Sequence, residues 1–210
     1  MDEQFAIFDM DGTLIDSMGF WEHLATDYLH SKGIQRIPEE IMEQIKPITM
    51  SESAALFQQV FGLNGNIEAE MNAMMDDHYR KDIPLKPGVR EYLQKLYTRG
   101  IRMCVASATA EHLMKSCLTR LGVRDYFEFL LSCETVGAGK RSPIVYHTSA
   151  QRLNVMPQEI AVYEDALYAI QTAKKAGYYV VGIYDDSAAD SWQAIEEMAD
   201  EIIINWEEAV

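Results

Sequence analysis

Positive charge is scarce in this chain. Eighteen lysines and arginines face 33 aspartates and glutamates, a formal net charge of −15. That balance argues against a nucleic-acid backbone or an anionic membrane as the main partner. It also means that any phosphate chemistry here needs strong local positive charge. Long apolar runs are missing too: the most apolar stretch, Tyr178 to Tyr184, is far too short to span a bilayer. Met1 to Gln4 is acidic, with no basic segment leading into an apolar one, so no signal peptide is expected. Cysteine is sparse. Cys104, Cys117 and Cys133 are odd in number and show no C-x-x-C spacing, so they read as reduced thiols in a cytoplasmic protein. Cys104 lies in an apolar run, where packing is expected rather than reactivity. The five histidines show no H-E-x-x-H or other metal-binding spacing. There is no internal repeat and no low-complexity linker.

What remains is ordinary for a globular protein: 48% hydrophobic and 24% charged residues in a chain of 210. That length suits one substantial core, or a core with a smaller insert. Apolar runs predict strands at Phe5–Phe8, Ile101–Ala106, Phe127–Leu131, Ile160–Tyr163, Tyr179–Ile183 and Ile202–Ile204. Helical spacing predicts helices between them: after Pro87-Gly88 to Gly100, around Leu113–Leu121, Ile144–Leu153, Ala166–Ala176 and Ala188–Met198. Strands alternating with helices imply an α/β fold, a Rossmann-like, doubly wound parallel sheet with helices on both faces. Residues 17–85 break the alternation. Met18, Trp21, Leu24, Tyr28 and Leu29 recur at helical spacing, as do Met71, Met74, Met75 and His78. The simplest organisation is a core of residues 1–16 and 86–210 carrying an all-helical insert at 17–85.

Three of the predicted strands stop at polar residues: Asp9 and Asp11, Ser107, and Glu164 with Asp165. Open α/β sheets bind ligands beyond the carboxyl ends of their strands, so these groups can converge. Each alone reads as a cap or turn residue. Clustered carboxylates would repel one another unless a cation neutralised them, and an all-oxygen site suits Mg²⁺. Gly137-Ala138-Gly139-Lys140 is not a P-loop, because Glu134 and Arg141 stand where glycine and Ser or Thr are needed. Ser107 has no G-x-S-x-G context, which argues against a serine hydrolase.

Asp9-Met10-Asp11-Gly12-Thr13-Leu14 after a strand resembles the first motif of the haloacid dehalogenase superfamily. Ser107 after Val105-Ala106 resembles the second, Lys140 the third, and Glu164-Asp165 the fourth, in the family's order and across nearly the whole chain. The insert lies where the family's helical cap belongs. The resemblance implies a Mg²⁺-dependent phosphatase of small phosphate monoesters, a monomer or small homo-oligomer whose partner is a phosphorylated metabolite. It implies that Asp9 forms an aspartyl-phosphate and that Asp11 acts as general acid and base. Ser107, Ala108 and Lys140 would hold the phosphoryl group. Asp9, the Asp11 carbonyl and Asp165 would bind the metal, with Glu164 a ligand or a neighbour of one.

The nearest cap pattern is that of the phosphoglycolate phosphatase and β-phosphoglucomutase-like group. Lys46 matches the mutase-like loop, but Pro47 and Met50 stand where it would carry glycine and arginine. Trp21 replaces a hinge histidine. In the fourth motif Ala166 and Ala169 replace serine and glycine. Haloacid dehalogenases proper lack the second aspartate, so Asp11 points to phosphoryl transfer. A phosphonate hydrolase would need a Schiff-base lysine, for which Lys32 and Lys46 are the candidates. The alternatives are a sugar phosphomutase and, from another class, a phospho-accepting receiver or binding module. A receiver, however, carries its acidic pair early and has no helical insert.

Overall fold

The computed structural model describes residues 4–45 and 50–209. The predicted strands form one six-stranded, all-parallel sheet in the order β3-β2-β1-β4-β5-β6. The strands are β1 (Phe5–Phe8), β2 (Arg102–Ser107), β3 (Phe127–Ser132), β4 (Ile160–Glu164), β5 (Tyr179–Ile183) and β6 (Glu201–Ile203). The order reverses beside β1, so β1 and β4 flank the point where such sheets open to ligands.

The helices are α1 (Met18–Ser31), α2 (Glu39–Ile45), α3 (Met50–Phe61), α4 (Ile67–Lys81), α5 (Val89–Thr98) and α6 (Glu111–Arg120). They continue with α7 (Cys133–Val136), α8 (Ile144–Leu153), α9 (Leu167–Lys175), α10 (Trp192–Met198) and α11 (Trp206–Ala209). The chain divides into two compact units, Met1–Met18 with Ile83–Val210, and Gly19–Asp82. The smaller unit is helical. The helix expected over Ala188–Met198 is shorter, because a 3-10 turn over Asp186–Ser191, begun by the Asp185 side chain accepting from the Ser187 N–H, takes its first half. The short α7 and α11 escaped the sequence reading, being one turn each.

Alternation along the strands sorts side chains to two faces. On one, Ile7, Cys104, Ala106, Val162 and Val180 join a buried cluster with Val145, Tyr146 and Ala150 of α8 and Ile170 of α9. On the other, Phe8 stacks on Tyr163 at 4.2 Å between centroids, and Trp206 and Tyr92 pack beside them. Such aromatic pairs add about 1 kcal/mol each beyond their buried area. Gly88 opens α5 with φ +83°, and a Cβ there would stand 2.4 Å from the Glu207 backbone nitrogen, so α11 reaches α5 only over a glycine. All three cysteines are free and buried; burial pushes the Cys104 thiol up to about 12, in keeping with a packing role. Among the described residues no helix is long and apolar enough to cross a membrane.

Candidate active site

Asp9 continues β1 by one step, its N–H donating to the Tyr163 carbonyl of β4 at 2.9 Å. Along the strand it falls in phase with Ile7, and Glu164 falls in phase with Val162. Both carboxylates therefore face the α8 side of the sheet. Lys140 arrives there from the loop between α7 and α8. Its Nζ donates to Asp9 Oδ1 and, at 2.5 Å, to Glu164 Oε1. The Tyr146 hydroxyl of α8 donates to the same Glu164 oxygen at 2.8 Å. All four groups are buried.

After Asp9 the chain turns tightly, with Leu14 and Ile15 N–H both donating to the Met10 carbonyl. The turn is held twice: Thr13 Oγ1 donates to Asp165 Oδ1 at 3.1 Å, and Trp206 Nε1 donates to the Thr13 carbonyl at 3.2 Å. Asp11 points elsewhere. Ser17 Oγ donates to its Oδ1 and Thr109 Oγ1 to its Oδ2, each at 2.7 Å. Ser107 ends β2 next to β1, buried, its Oγ accepting from the Thr109 N–H at 3.1 Å. Ala108 beside it is exposed.

Carboxylate oxygens of Asp9, Glu164 and Asp165 all lie within 4.8 Å of one another. Burial above all, then the charges of Glu164, Asp165 and Asp11, push the Asp9 carboxyl well above the usual carboxylate range, against the pull of Lys140. Burial, then Glu164, pushes Asp165 up to about 7. Burial works against the charge of Lys140, but Asp9 and Glu164 outweigh it and hold the ammonium well above its ordinary range. One ammonium thus serves three crowded carboxylates. An all-oxygen donor set, buried and short of positive charge, fits a small hard divalent cation.

Of the residues marked in the sequence, the structure brings Asp9, Lys140, Glu164 and Asp165 together. Asp11 sits two residues from Asp9 with its side chain tied to Thr109 and Ser17. Lys32 pairs with Glu70 at 2.6 Å within the helical unit and lies over the Tyr28 ring. Lys46 and Pro47 lie outside the described residues. Tyr146, Thr109 and Ser17 were missed, because each is an ordinary helix or loop residue until its hydroxyl is seen on a carboxylate.

The chain is similar in sequence and fold to several known proteins. The chain is 27% identical over 190 residues to a phosphorylated carbohydrates phosphatase of Thermotoga maritima, covering 87% of this chain and 88% of that one. It is 30% identical over 175 residues to hexitol phosphatase B of Escherichia coli K12, covering 81% and 79%. To β-phosphoglucomutase of Bacillus subtilis it is 27% identical over 190 residues, covering 84% and 81%. Its fold superposes on the crystal structure of a mutant of CbbY from Rhodobacter sphaeroides, in complex with xylulose-(1,5)bisphosphate. There the TM-score is 0.75 and the identity 21%, over 98% of this chain and 96% of that one. The model of the haloacid dehalogenase-like hydrolases matches residues 6–183. With the parallel sheet and its buried acidic cluster, that match settles the lineage: the chain belongs to the haloacid dehalogenase-like hydrolase family.

Proposed function

We propose that the protein is a Mg²⁺-dependent phosphatase of small phosphorylated carbohydrates, working through an aspartyl-phosphate on Asp9. The observation that carries the reading is Lys140 touching both Asp9 and Glu164 inside a buried carboxylate cluster. Relatives named for phosphorylated carbohydrates and hexitols supply the substrate class.

In this reading the Asp9 carboxylate attacks phosphorus, and the ester P–O bond breaks as Asp11 gives its proton to the leaving oxygen. Water then attacks the aspartyl-phosphate. It passes a proton back to Asp11 and frees Asp9 and inorganic phosphate. Ser107 Oγ and the Ala108 N–H hold the phosphoryl oxygens, and Lys140 offsets their charge and that of Asp9. Asp9, Asp165 and the Asp11 carbonyl, with Glu164 beside them, would hold a Mg²⁺, which would supply the positive charge that keeps Asp9 ionised. Thr109 and Ser17 hold the Asp11 carboxyl in reach of its two tasks. Residues 17–85 act as the cap that selects the leaving group. The free, buried cysteines suit the reducing cytoplasm.

The test is phosphate release from a panel of hexose and hexitol phosphates, with Mg²⁺ and with chelator. Release from at least one ester, lost with chelator and restored by Mg²⁺, is expected. No release from any, or full release in metal-free buffer, sinks the reading.

A further inference from the structure

The mechanism above gives no part to Tyr146. Tyr146 is fully buried, and its hydroxyl lies 2.8 Å from Glu164 Oε1, the oxygen that also receives Lys140 at 2.5 Å. Two donors from separate places on the chain, the α7–α8 loop and the first turn of α8, therefore meet on one carboxylate oxygen. An unaided glutamate could turn about its last torsion and offer either oxygen to the lysine, since that torsion is broad. With both donors on Oε1, that oxygen is committed and the carboxylate plane is set.

We infer that Tyr146 is a positioning residue. Its hydroxyl orients Glu164 so that one oxygen carries Lys140 and the other serves the cation side of the site. The helix itself is built for this task. Tyr146 lies among the apolar residues that pin α8 to the sheet, with its ring 5.9 Å from that of Tyr178. The ring's packing fixes where the hydroxyl stands, and the hydroxyl in turn fixes the carboxylate. Groups that orient a metal-binding carboxylate from outside typically contribute about 10–100-fold in metal affinity or activity.

This inference rests on the Mg²⁺-dependent reading, and the experiment separates the two. Mg²⁺ binding is measured by calorimetry without substrate, alongside kcat and KM at saturating Mg²⁺ and melting in chelator. For Tyr146→Phe, the Mg²⁺ dissociation constant should rise about tenfold and kcat fall by a similar factor. KM should stay within about twofold, and melting in chelator should change by no more than a few degrees, because the ring remains. Glu164→Asp provides a second arm that does not depend on the first variant folding. It withdraws the carboxylate from the hydroxyl by one methylene, keeps the charge, and should show the same split. Either variant folded, with wild-type Mg²⁺ affinity and kcat, overturns the positioning role. So does a Tyr146→Phe protein that melts lower in chelator while binding Mg²⁺ as the wild type does. Wild-type protein that binds no Mg²⁺ overturns the functional reading instead.

Discussion

A β-carbon built on Gly12 would stand 2.4 Å from Asp165 Oδ2 and 3.0 Å from its Cγ. Gly12 also holds φ at +78°, the left-handed region. The turn after β1 thus approaches the fourth-motif aspartate as closely as it does only because Gly12 has no side chain. Gly12→Ala should cost about 1–2 kcal/mol from backbone conformation alone, and more from displacing Asp165. Expected are a lower melting temperature and a fall of at least about tenfold in Mg²⁺ affinity or kcat. Wild-type values for both would mean that the Asp165 position is not set by this contact.

Asp9 and Asp11 are two residues apart and held in different ways, so their amides should fail differently. In the proposed mechanism Asp9→Asn removes the attacking oxygen, and it should lower turnover by at least about three orders of magnitude with every ester. In the same proposal Asp11→Asn leaves attack possible but removes the group that activates water. With a nitrophenyl ester, whose leaving oxygen needs little protonation, phosphoenzyme should accumulate. Acid-quenched, radiolabelled protein measures it. A folded Asp11→Asn protein that turns over normally would move the acid–base role to another residue.

The sequence made the sheet readable because the parallel strands, most of them buried on both faces, leave short apolar runs, and all six runs fall on strands. Asp9, Glu164 and Asp165 were visible as polar residues where an apolar run stops. Lys140 was visible only through the family pattern, since nothing local distinguishes it from a surface lysine. Tyr146 could not be singled out: at its place in α8 a tyrosine reads as packing, and its ring does pack. Only the distance from its hydroxyl to Glu164 reveals the second role. Thr109 and Ser17 escaped for the same reason, each a common loop or cap residue that lies 98 or 6 positions from the Asp11 it touches. The helical insert gave up α1 and α4 by their periodicity. α2, of two turns, is too short to show such a stripe, and α3 was not picked out although it buries Ala54 and Phe57 on one side.

Asp185, at the end of β5, makes a test of stability rather than chemistry. Its Oδ2 is 2.7 Å from Lys86 Nζ, with the two side chains 7% and 13% exposed, and its Oδ1 accepts from the Ser187 N–H and hydroxyl. Burial would raise this carboxyl, but the bonds from Lys86 and Ser187 outweigh it and hold it below the ordinary carboxylate value. The unfolded chain, near 3.9, therefore takes up the proton first as pH falls. The stabilisation is complete above that value and is lost as pH drops through the folded one. Asp185→Asn should cost about 2 kcal/mol near neutral pH, and the gap to wild type should shrink below about pH 4. Urea melts at both pH values measure it. A gap that is constant with pH would assign the loss to packing.

Phosphatase and mutase differ in what the helical unit must provide. A mutase needs a second grip for phosphate and must delay water, whereas a hydrolase needs one phosphate site and an open path for water. A guanidinium would bind phosphate through two parallel hydrogen bonds. Met50, the first residue of α3, stands in its place with a thioether that donates none. Trp21 cannot exchange a proton as a histidine could. Its only side-chain N–H, Nε1, is already given to the Tyr79 hydroxyl at 3.2 Å within the same unit. Identity to a β-phosphoglucomutase is 27%, the same as to a carbohydrate phosphatase, so these side chains, and not overall likeness, decide the expectation. Given β-glucose 1-phosphate, Mg²⁺ and a trace of the bisphosphate, the protein should release inorganic phosphate and form little glucose 6-phosphate. Met50→Arg should tighten binding of the bisphosphate without creating efficient interconversion, since Trp21 would still block the proton exchange. Glucose 6-phosphate formed by the wild type much faster than free phosphate would overturn the phosphatase assignment and leave Asp9 as the nucleophile of a mutase.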